Sequence, residues 1–256
     1  MFRPCIDLHD GKVKQIVGGT LTDDNSVLRT NFVASRPPAW FAELYRRDQL
    51  SGGHIIKLGP GNDVAAREAL AAFPGGFHIG GGINTENASA WLDAGASHVI
   101  VTSYVFRDGM LDQERLDALV QRVGRSRLVL DLSCRRREDR YYVVTDRWQK
   151  WTSLEINRDT LGQLSQYCDE FLIHAADIEG LCSGIDLDLV RLLGVNVTIP
   201  TTYAGGAKSL EDLHRVEEIG QGKLDLTIGS ALDIFGGTGI LYADAVAFNK
   251  KLHTSL

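Results

Sequence analysis

Two aspartates occupy positions at which acid–base chemistry can be placed. Asp7 closes the apolar run 4–6, and Asp131 closes the apolar run 128–130. At the carboxyl end of a parallel barrel strand, a side chain faces the active site rather than solvent. Two carboxylates on opposite sides of one substrate suit a general base and a general acid. Either aspartate alone could be a helix N-cap or a turn residue, but the matched pair favours a catalytic role.

Two glycine pairs have the composition of phosphate sites. Gly81 and Gly82 follow one predicted strand. Gly205 and Gly206 follow another. One Gly-Gly pair is usually only a tight turn, whereas two matched pairs favour phosphate binding through backbone amides, helped by the helix that begins after each loop. Neighbouring strand ends add hydroxyl groups and amides, at Thr102 and Ser103 for the first cradle and at Gly229 and Ser230 for the second.

Further titratable residues follow or begin predicted strands. Asp177 and Glu179 follow the sixth strand, and each is either a third acid or a loop charge. His174 ends that strand and could reach the site, or could serve in packing and orientation. His54 begins a strand, so we expect it at the opposite, structural end. No residues have the spacing of metal ligands, and no Ser-His-Asp or Cys-His nucleophile arrangement is evident, so we expect no metal.

The elements that must position these residues alternate regularly. Short apolar, β-branched runs alternate with amphipathic segments, which predicts a parallel sheet. No G-x-G-x-x-G motif follows the first strand, which favours a (β/α)8 barrel over an open dinucleotide-binding sheet. Strands are predicted at 2–8, 54–58, 77–79, 98–101, 128–132, 170–174, 197–203 and 224–228, and helices at 39–49, 64–73, 85–94, 111–123, 158–167, 187–193, 210–219 and 240–250.

An internal repeat supports the barrel. Three matched features at nearly one spacing predict two half-barrels of four βα units each. We therefore predict an α/β fold, a single (β/α)8 TIM barrel domain over 1–256, with half-barrels at about 1–124 and 125–256. The repeated features are Asp7 and Asp131, 124 residues apart, Gly81 and Gly205, also 124 apart, and Ser103 and Ser230, 127 apart.

Two insertions interrupt the alternation. The first, 11–35, contains the polar stretch 20–31. The second, 135–151, has the pattern of a hairpin and carries Trp148 and Trp151. In a barrel both insertions would rise from the face where loops build the active site.

Bulk composition restricts the class of protein and its partners. The chain has 256 residues, of which 44% are hydrophobic and 23% are charged, as in ordinary soluble proteins. The net charge of -6 gives no indication of a nucleic-acid or membrane partner, and no apolar run approaches the ~20 residues of a membrane span. The four cysteines lack C-x-x-C spacing and are expected to be reduced thiols. The N-terminus lacks the apolar core of a signal peptide, so we expect a cytoplasmic protein. We also expect a monomer.

The motifs match a known family along nearly the whole chain. The sequence resembles the histidine-biosynthesis isomerases that act on phosphoribosylformimino-aminoimidazole-carboxamide ribotide (ProFAR), most closely their eukaryotic, fungal-like branch. The segments that carry the resemblance are FRPCID (2–7), KVKQIVGGTL (12–21), HIIKLGP (54–60), GGGIN (80–84), LDLSCR (130–135), FLIHAAD (171–177), YAGGAK (203–208) and GSALDIFGG (229–237).

The resemblance implies an Amadori rearrangement of a substrate with a phosphate at each end. It implies a half-barrel duplication, with Asp7 as the base and Asp131 as the acid, and neither cofactor nor metal. The substrate carries an imidazole carboxamide, on which a tryptophan face stacks well. The hairpin 135–151 would then be a lid with Trp148 or Trp151 on the imidazole, or else a surface hairpin whose tryptophans pack on the rim.

This sequence departs from the bacterial pattern at two places. Bacterial members usually have threonine and glutamate after the histidine of strand 6, whereas Ala175 and Ala176 follow His174 here. Bacterial strand 2 typically ends in an aspartate, where this chain has Lys57. We expect Lys57 to contact the substrate, to pair with Asp7 or to fill the barrel mouth.

Two other functions fit the same motifs. The sister cyclase of the pathway shares the half-barrels, both aspartates and both phosphate sites, and works with a glutaminase that supplies ammonia. The hairpin 135–151 and the run 15–21 favour the isomerase. A non-catalytic phosphosugar-binding barrel is the second alternative, and retention of Asp7 and Asp131 argues against it.

Overall fold

Short apolar strands form a curled sheet in the computed structural model, which describes residues 1–20 and 29–254. Residues 21–28 of the predicted polar stretch 20–31 lie outside the described residues. The strands are β1 (Phe2–Arg3), β2 (Cys5–His9), β3 (Lys12–Ile16), β4 (Thr30–Val33), β5 (Gly53–Lys57), β6 (Phe77–Gly80), β7 (His98–Val101), β8 (Phe106–Arg107), β9 (Met110–Leu111), β10 (Leu128–Asp131), β11 (Cys134–Arg137), β12 (Arg140–Thr145), β13 (Lys150–Glu155), β14 (Glu170–His174), β15 (Thr201–Ala204) and β16 (Leu224–Thr227).

The main sheet is largely parallel. Its order is β1-β16-β15-β14-β10-β7-β6-β5-β2-β3-β4, and every neighbouring pair from β1 to β2 in this order is parallel. β3 and β4 add an antiparallel extension beside β2. β1 and β2 are separated only by Pro4, yet they pair with β16 and β5 respectively. Parallel strands with intervening helices make this an α/β fold.

Successive residues of each strand pack on opposite faces of the sheet. Ile55, Ile79 and Val99 pair across β5, β6 and β7 and join the large core that the helices cover. The alternate positions face a second, smaller apolar cluster. The members of that cluster are Ile56, Ile100, Val129 and Leu172. Side chains two residues further along these strands therefore lie on this inner face, at the carboxyl ends.

Helices follow the strands as predicted, with shifted ends. The strand predicted at 197–203 begins only at Thr201, because Pro200 has no N–H for a ladder hydrogen bond. No helix within 1–20 and 29–254 is long and apolar enough to cross a bilayer. The helices are α1 (Pro38–Arg47), α2 (Asp63–Ala72), α3 (Ala88–Asp93), α4 (Gln113–Val123), α5 (Arg158–Leu164), α6 (Leu187–Asn196), α7 (Leu210–Ile219) and α8 (Tyr242–Thr254).

The predicted hairpin at 135–151 is confirmed and is larger than expected. β11, β12 and β13 form a three-stranded antiparallel sheet that extends to Glu155. Trp148 lies in the turn between β12 and β13, whereas Trp151 lies within β13. The hairpin thus presents one tryptophan at its tip and the other on a strand.

Candidate active site

A cavity of about 460 Å3 opens at the carboxyl ends of the parallel strands, on the inner face of the sheet. Asp7 and Asp131 both line it. A smaller pocket of about 30 Å3 adjoins it and is also lined by Asp7. The main cavity contains the first predicted cradle and the smaller pocket contains the second. The side chains that line both are Asp7, Gln15, His174 and Glu179.

Asp7 has few hydrogen-bond partners. It lies on the inner face of β2, opposite Ile56. Gln15 Nε2 donates to Asp7 Oδ2 over a long 3.4 Å. Burial and the negative charge of Glu179 raise the pKa of Asp7 to about 7, against the smaller lowering effects of His174 and Gln15. Asp7 can therefore accept or release a proton near neutral pH.

Asp131 is held by several donors. The N–H and Oγ of Ser133 donate to Asp131 Oδ1 at 2.8 Å and 2.5 Å, and Thr102 Oγ1 donates to Oδ2 at 3.3 Å. Burial alone would raise the pKa of Asp131, but His174 and the Ser133 donors lower it below its ordinary value. Donors of this kind stabilise the ionised carboxylate.

His174 lies between the two cavities. Its Nδ1 lies 3.1 Å from Ser133 Oγ and 3.7 Å from Asp131 Oδ1. Burial would lower the pKa of His174, but Asp131, with smaller effects from Glu179 and Asp7, raises it to about 9. The ring packs against Trp148 at 5.7 Å and against His54 at 5.9 Å, measured between ring centroids.

His54 lies nearer the site than its sequence position predicted. It pairs with Cys5 on the inner face, is buried and lines the smaller pocket. The prediction of a remote, structural end is therefore wrong, because the imidazole extends inward towards His174. Burial and the neighbouring His174 lower the pKa of His54 to about 3, so it is neutral.

Of the two acidic residues after β14, only Glu179 lines the cavities. Its Oε2 is a buried oxygen without a hydrogen-bond partner among the described residues, and burial raises the pKa of this carboxyl. Asp177 is exposed and instead accepts from Arg135 Nε at 2.6 Å and from the N–H of Arg136 at 3.2 Å. The structure thus separates two residues that the sequence left equivalent.

The first cradle has open backbone amides. No described residue accepts a hydrogen bond from the N–H of Gly82, Ile83, Ser103 or Tyr104. Gly81 has a φ of 93°, and a Cβ there would collide with the Lys57 carbonyl oxygen, so the turn requires glycine. Such amides form an anion-binding concavity when they converge.

The helix after this cradle begins later than predicted. Asn84 Oδ1 accepts from the N–H groups of Glu86 and Asn87, and this Asx turn precedes α3, which starts only at Ala88. The open amides therefore belong to the loop rather than to the first turn of the helix.

The second cradle has the same property. The N–H groups of Gly206, Ala207, Ser230 and Ala231 have no acceptor among the described residues. Gly206 has a φ of 75°, and a Cβ there would collide with the carbonyl oxygen of Gly184. All four residues predicted for this cradle, Gly205, Gly206, Gly229 and Ser230, line the smaller pocket.

The hairpin tip lies against the main cavity. Asp146, Arg147 and Trp148 all have left-handed φ values, of 51°, 58° and 64°. This is an unusual conformation for three successive non-glycine residues. The N–H of Asp146 donates to Ser103 Oγ at 2.9 Å, which joins the tip to the first cradle. The Trp148 ring passes so close to Gly18 that a Cβ at Gly18 would overlap it.

Two predicted substrate contacts have partners outside the cavities. Trp151 does not line either cavity and packs instead against Arg135 and Arg137, at 5.6 Å and 5.1 Å from ring centroid to guanidinium. Lys57 Nζ lies 2.9 Å from Asp63 and 4.0 Å from the centroid of the Trp91 ring.

Lys57 therefore pairs with Asp63 rather than with Asp7. It is opposite Leu8, whereas Asp7 is opposite Ile56, so the two side chains leave the sheet on opposite faces. Lys57 still borders the main cavity.

Sequence reasoning missed Gln15 and Ser133. Gln15 reaches Asp7 because β3 folds back along β2, and its Oε1 accepts from Ser230 Oγ at 3.5 Å. Ser133 follows Asp131 by two residues, and this Asp-x-Ser spacing was the available signal. No group of three or more His, Cys, Asp or Glu within the described ranges is placed to hold a metal.

Known proteins resemble this chain over nearly its full length. The family described as histidine biosynthesis protein matches residues 1–237. The 1-(5-phosphoribosyl)-5-((5-phosphoribosylamino)methylideneamino)imidazole-4-carboxamide isomerase of Yarrowia lipolytica is 54% identical over 260 residues, covering 98% of each chain. The isomerase of the same name from Saccharomyces cerevisiae is 50% identical, with 98% of each chain covered. The chloroplastic one from Medicago truncatula is 51% identical and covers 100% of this chain and 83% of its own length. The resemblance stated from the sequence is confirmed.

Proposed function

Since this chain belongs to the histidine biosynthesis protein family, we propose that it is an aldose–ketose isomerase that converts ProFAR to its phosphoribulosyl isomer by an Amadori rearrangement in histidine biosynthesis. One observation carries the proposal. Asp7 and His174 line both the main cavity and the smaller pocket, so acid–base groups lie between two loops with open amides. A substrate with a phosphate at each end would place its reacting ribose between those loops.

The proposed fold is a (β/α)8 barrel in one domain over 1–256, made of half-barrels at about 1–124 and 125–256. The pairing of β1 with β16 and of β2 with β5 supports closure, because one residue separates β1 from β2. The repeated spacing of the aspartates and of the glycine pairs supports the duplication.

The two cradles would hold the two phosphates. The first would use Gly81, Gly82, Thr102 and Ser103, and the second would use the loop amides at 205–207 and 229–231. Pinning both ends of the substrate fixes the ribose between acid and base, which converts binding free energy into orientation. Because the donors are mainly amides, the sites require little positive charge from side chains.

The chemistry has an acid step and a base step. Protonation of the ring oxygen opens the aminoaldose to a protonated imine. A base then removes the C2′ proton to give an enolamine, which tautomerises to the aminoketose. Asp7 suits the base, because its pKa of about 7 lies near the operating pH. The acid step falls on the opposite side, where Asp131 and His174 are in contact.

Both steps are proton transfers within one molecule, so we propose neither a cofactor nor a metal. Trp148, at the hairpin tip beside His174, is the tryptophan placed to stack on the imidazole carboxamide. We also propose a cytoplasmic monomer whose partner is the bis-phosphorylated substrate, with no nucleic acid or membrane partner, in keeping with its net charge of -6.

Incubation of the purified protein with ProFAR tests the function. We expect an ultraviolet change and a chromatographically distinct product of unchanged mass, at a rate that does not depend on added ammonia. Turnover that requires ammonia would instead indicate the cyclase. Binding of ProFAR without turnover would indicate a non-catalytic phosphosugar-binding barrel.

A further inference from the structure

The hydrogen bonds around Asp131 make it a poor proton donor. Its Oδ1 accepts from the Ser133 N–H and Oγ–H, and its Oδ2 accepts from Thr102 Oγ1. All three donors stabilise the ionised carboxylate, so a proton on Asp131 would weaken the hydrogen bonds that hold it. A neighbouring group that already carries a proton at neutral pH is therefore better suited to the acid step.

His174 is the adjacent group that can carry it. Because Ser133 Oγ donates to Asp131, that oxygen is free to accept the Nδ1–H of His174, 3.1 Å away. The chain of donors thus runs from His174 through Ser133 to Asp131. Nε2 is left without a hydrogen-bond partner among the described residues, and the ring lines both cavities.

The charges that face His174 favour its protonated form. Asp131 faces it from β10, Asp7 from β2 and Glu179 from the loop after β14. His54 from β5 is neutral, while Arg147 of the hairpin tip borders the main cavity. Burial would lower the pKa of His174, but the carboxylate of Asp131, 3.7 Å from Nδ1, raises it to about 9. The imidazolium is therefore the state present at neutral pH.

We propose that His174 is a catalytic residue whose Nε2–H protonates the ring oxygen of the ribose, with Ser133 and Asp131 acting behind it as positioning residues. The inference rests on the proposed isomerase function. It assigns the acid step without a hydroxyl group after this histidine, where the chain has Ala175 and Ala176.

The proton balance closes over the reaction. The Nε2–H bond of His174 breaks as the O4′–H bond forms, the C1′–O4′ electron pair moves to O4′, and the nitrogen lone pair forms the C1′=N bond. Asp7 takes the C2′ proton, and the C2′–H electrons form the C1′=C2′ bond while the nitrogen regains its pair. Asp7 returns its proton to C1′, and neutral His174 takes the proton of the C2′ hydroxyl as the ketone forms. Both groups return to their starting states.

Variants of His174 test the assignment. His174→Ala and His174→Gln should each lower kcat by a factor on the order of 10² or more, with product affinity retained. Added imidazole should restore kcat in His174→Ala, and the restored rate should follow the imidazolium concentration as the pH is varied. The fall in wild-type activity at high pH should be absent in His174→Gln. The matched control is His98→Gln, which removes an imidazole that pairs with Asp169 and lines neither cavity, and it should keep kcat within about fivefold.

The outcomes separate cleanly. If His174→Gln keeps kcat within about fivefold of wild type, the assignment is overturned. It is equally overturned if the variants lose turnover, imidazole restores none of it and the high-pH fall persists in His174→Gln. If His174→Ala does not fold, the pH profile of His174→Gln decides. Failure of the wild-type protein to convert ProFAR in the same assay would count against the proposed function, and not specifically against His174.

Discussion

Asp7 and Asp131 are 124 residues apart and lie on the inner faces of two parallel strands, yet their surroundings differ sharply. Asp7 receives one long hydrogen bond, from Gln15, and Glu179 helps raise its pKa to about 7. Asp131 receives three hydrogen bonds and lies beside His174, which keeps its pKa below the ordinary value. The repeated position therefore supplies two carboxylates, and the loops around them decide that one exchanges protons and the other stays ionised.

The two phosphate cradles also differ, in the amount of open space beside them. The first borders a cavity of about 460 Å3 that the hairpin tip also lines, and the second borders a pocket of about 30 Å3. The Oε1 of Gln15 lies where a Cβ at Gly229 would be, so this side chain narrows the second cradle. We therefore expect the second phosphate to require more rearrangement of side chains on binding than the first.

The largest expected effect is the loss of either carboxylate. Asp7→Asn and Asp131→Asn should each lower kcat by a factor on the order of 10² or more, because one variant lacks the base and the other lacks the anion that holds His174. Steady-state kinetics with ProFAR, on protein checked for folding by circular dichroism, measures this. Turnover close to wild type in either variant would remove that aspartate from the mechanism.

The cradles should respond through substrate binding. Gly82→Val and Gly206→Val should raise KM by about tenfold or more with a smaller change in kcat, because a side chain blocks the amides from the phosphate. Gly124→Val is the matched control, because Gly124 also has a left-handed φ, of 81°. A Cβ at this position would meet no atom within 4 Å, and Gly124 lines neither cavity. Crystals soaked in sulfate that leave both cradles empty would contradict the assignment.

The raised pKa of Asp7 can be tested through Glu179. At low pH, activity should fall as Asp7 takes up a proton, near its pKa of about 7. Glu179→Gln removes a negative charge that raises this pKa, so the fall in kcat/KM should move to lower pH. A pH–rate profile of both proteins measures the shift. A fall that stays in place, or moves to higher pH, would show that Glu179 does not set the ionisation of Asp7.

Much of this arrangement was readable from the sequence. Strand periodicity placed Asp7 and Asp131 at carboxyl ends because strand ends are local features. The faces of Lys57 and His54 were harder to predict, since a shift of one residue in register turns a side chain to the opposite face. Gln15 could not be found from spacing, because its contact with Asp7 depends on the path by which β3 returns along β2.

The two hairpin tryptophans should report on binding unequally. In a protein that keeps only Trp148, fluorescence should change on titration with substrate or product, because this ring lies beside His174 in the cavity. In a protein that keeps only Trp151, the change should be small, since that ring is held between arginines outside the cavity. No change in the Trp148 protein would count against a hairpin that closes over the substrate.

The smallest effect on catalysis is expected at Lys57, which ends β5 as Asp7 nearly ends β2 but leaves the sheet on the other face. Its ammonium group contacts Asp63 and the Trp91 ring, on the helix side. Lys57→Met should therefore keep kcat/KM within about twofold while lowering the free energy of unfolding by about 1 kcal/mol, the usual contribution of a cation–π contact. Asp63→Asn should leave kcat/KM equally unchanged, because it removes only the exposed partner of the same contact. Kinetics and denaturant unfolding of both variants measure this. A tenfold loss of kcat/KM in Lys57→Met alone would show that the lysine turns towards Asp7 or the substrate when the site is occupied. The face on which a residue leaves its strand would then not decide by itself whether the residue takes part in catalysis.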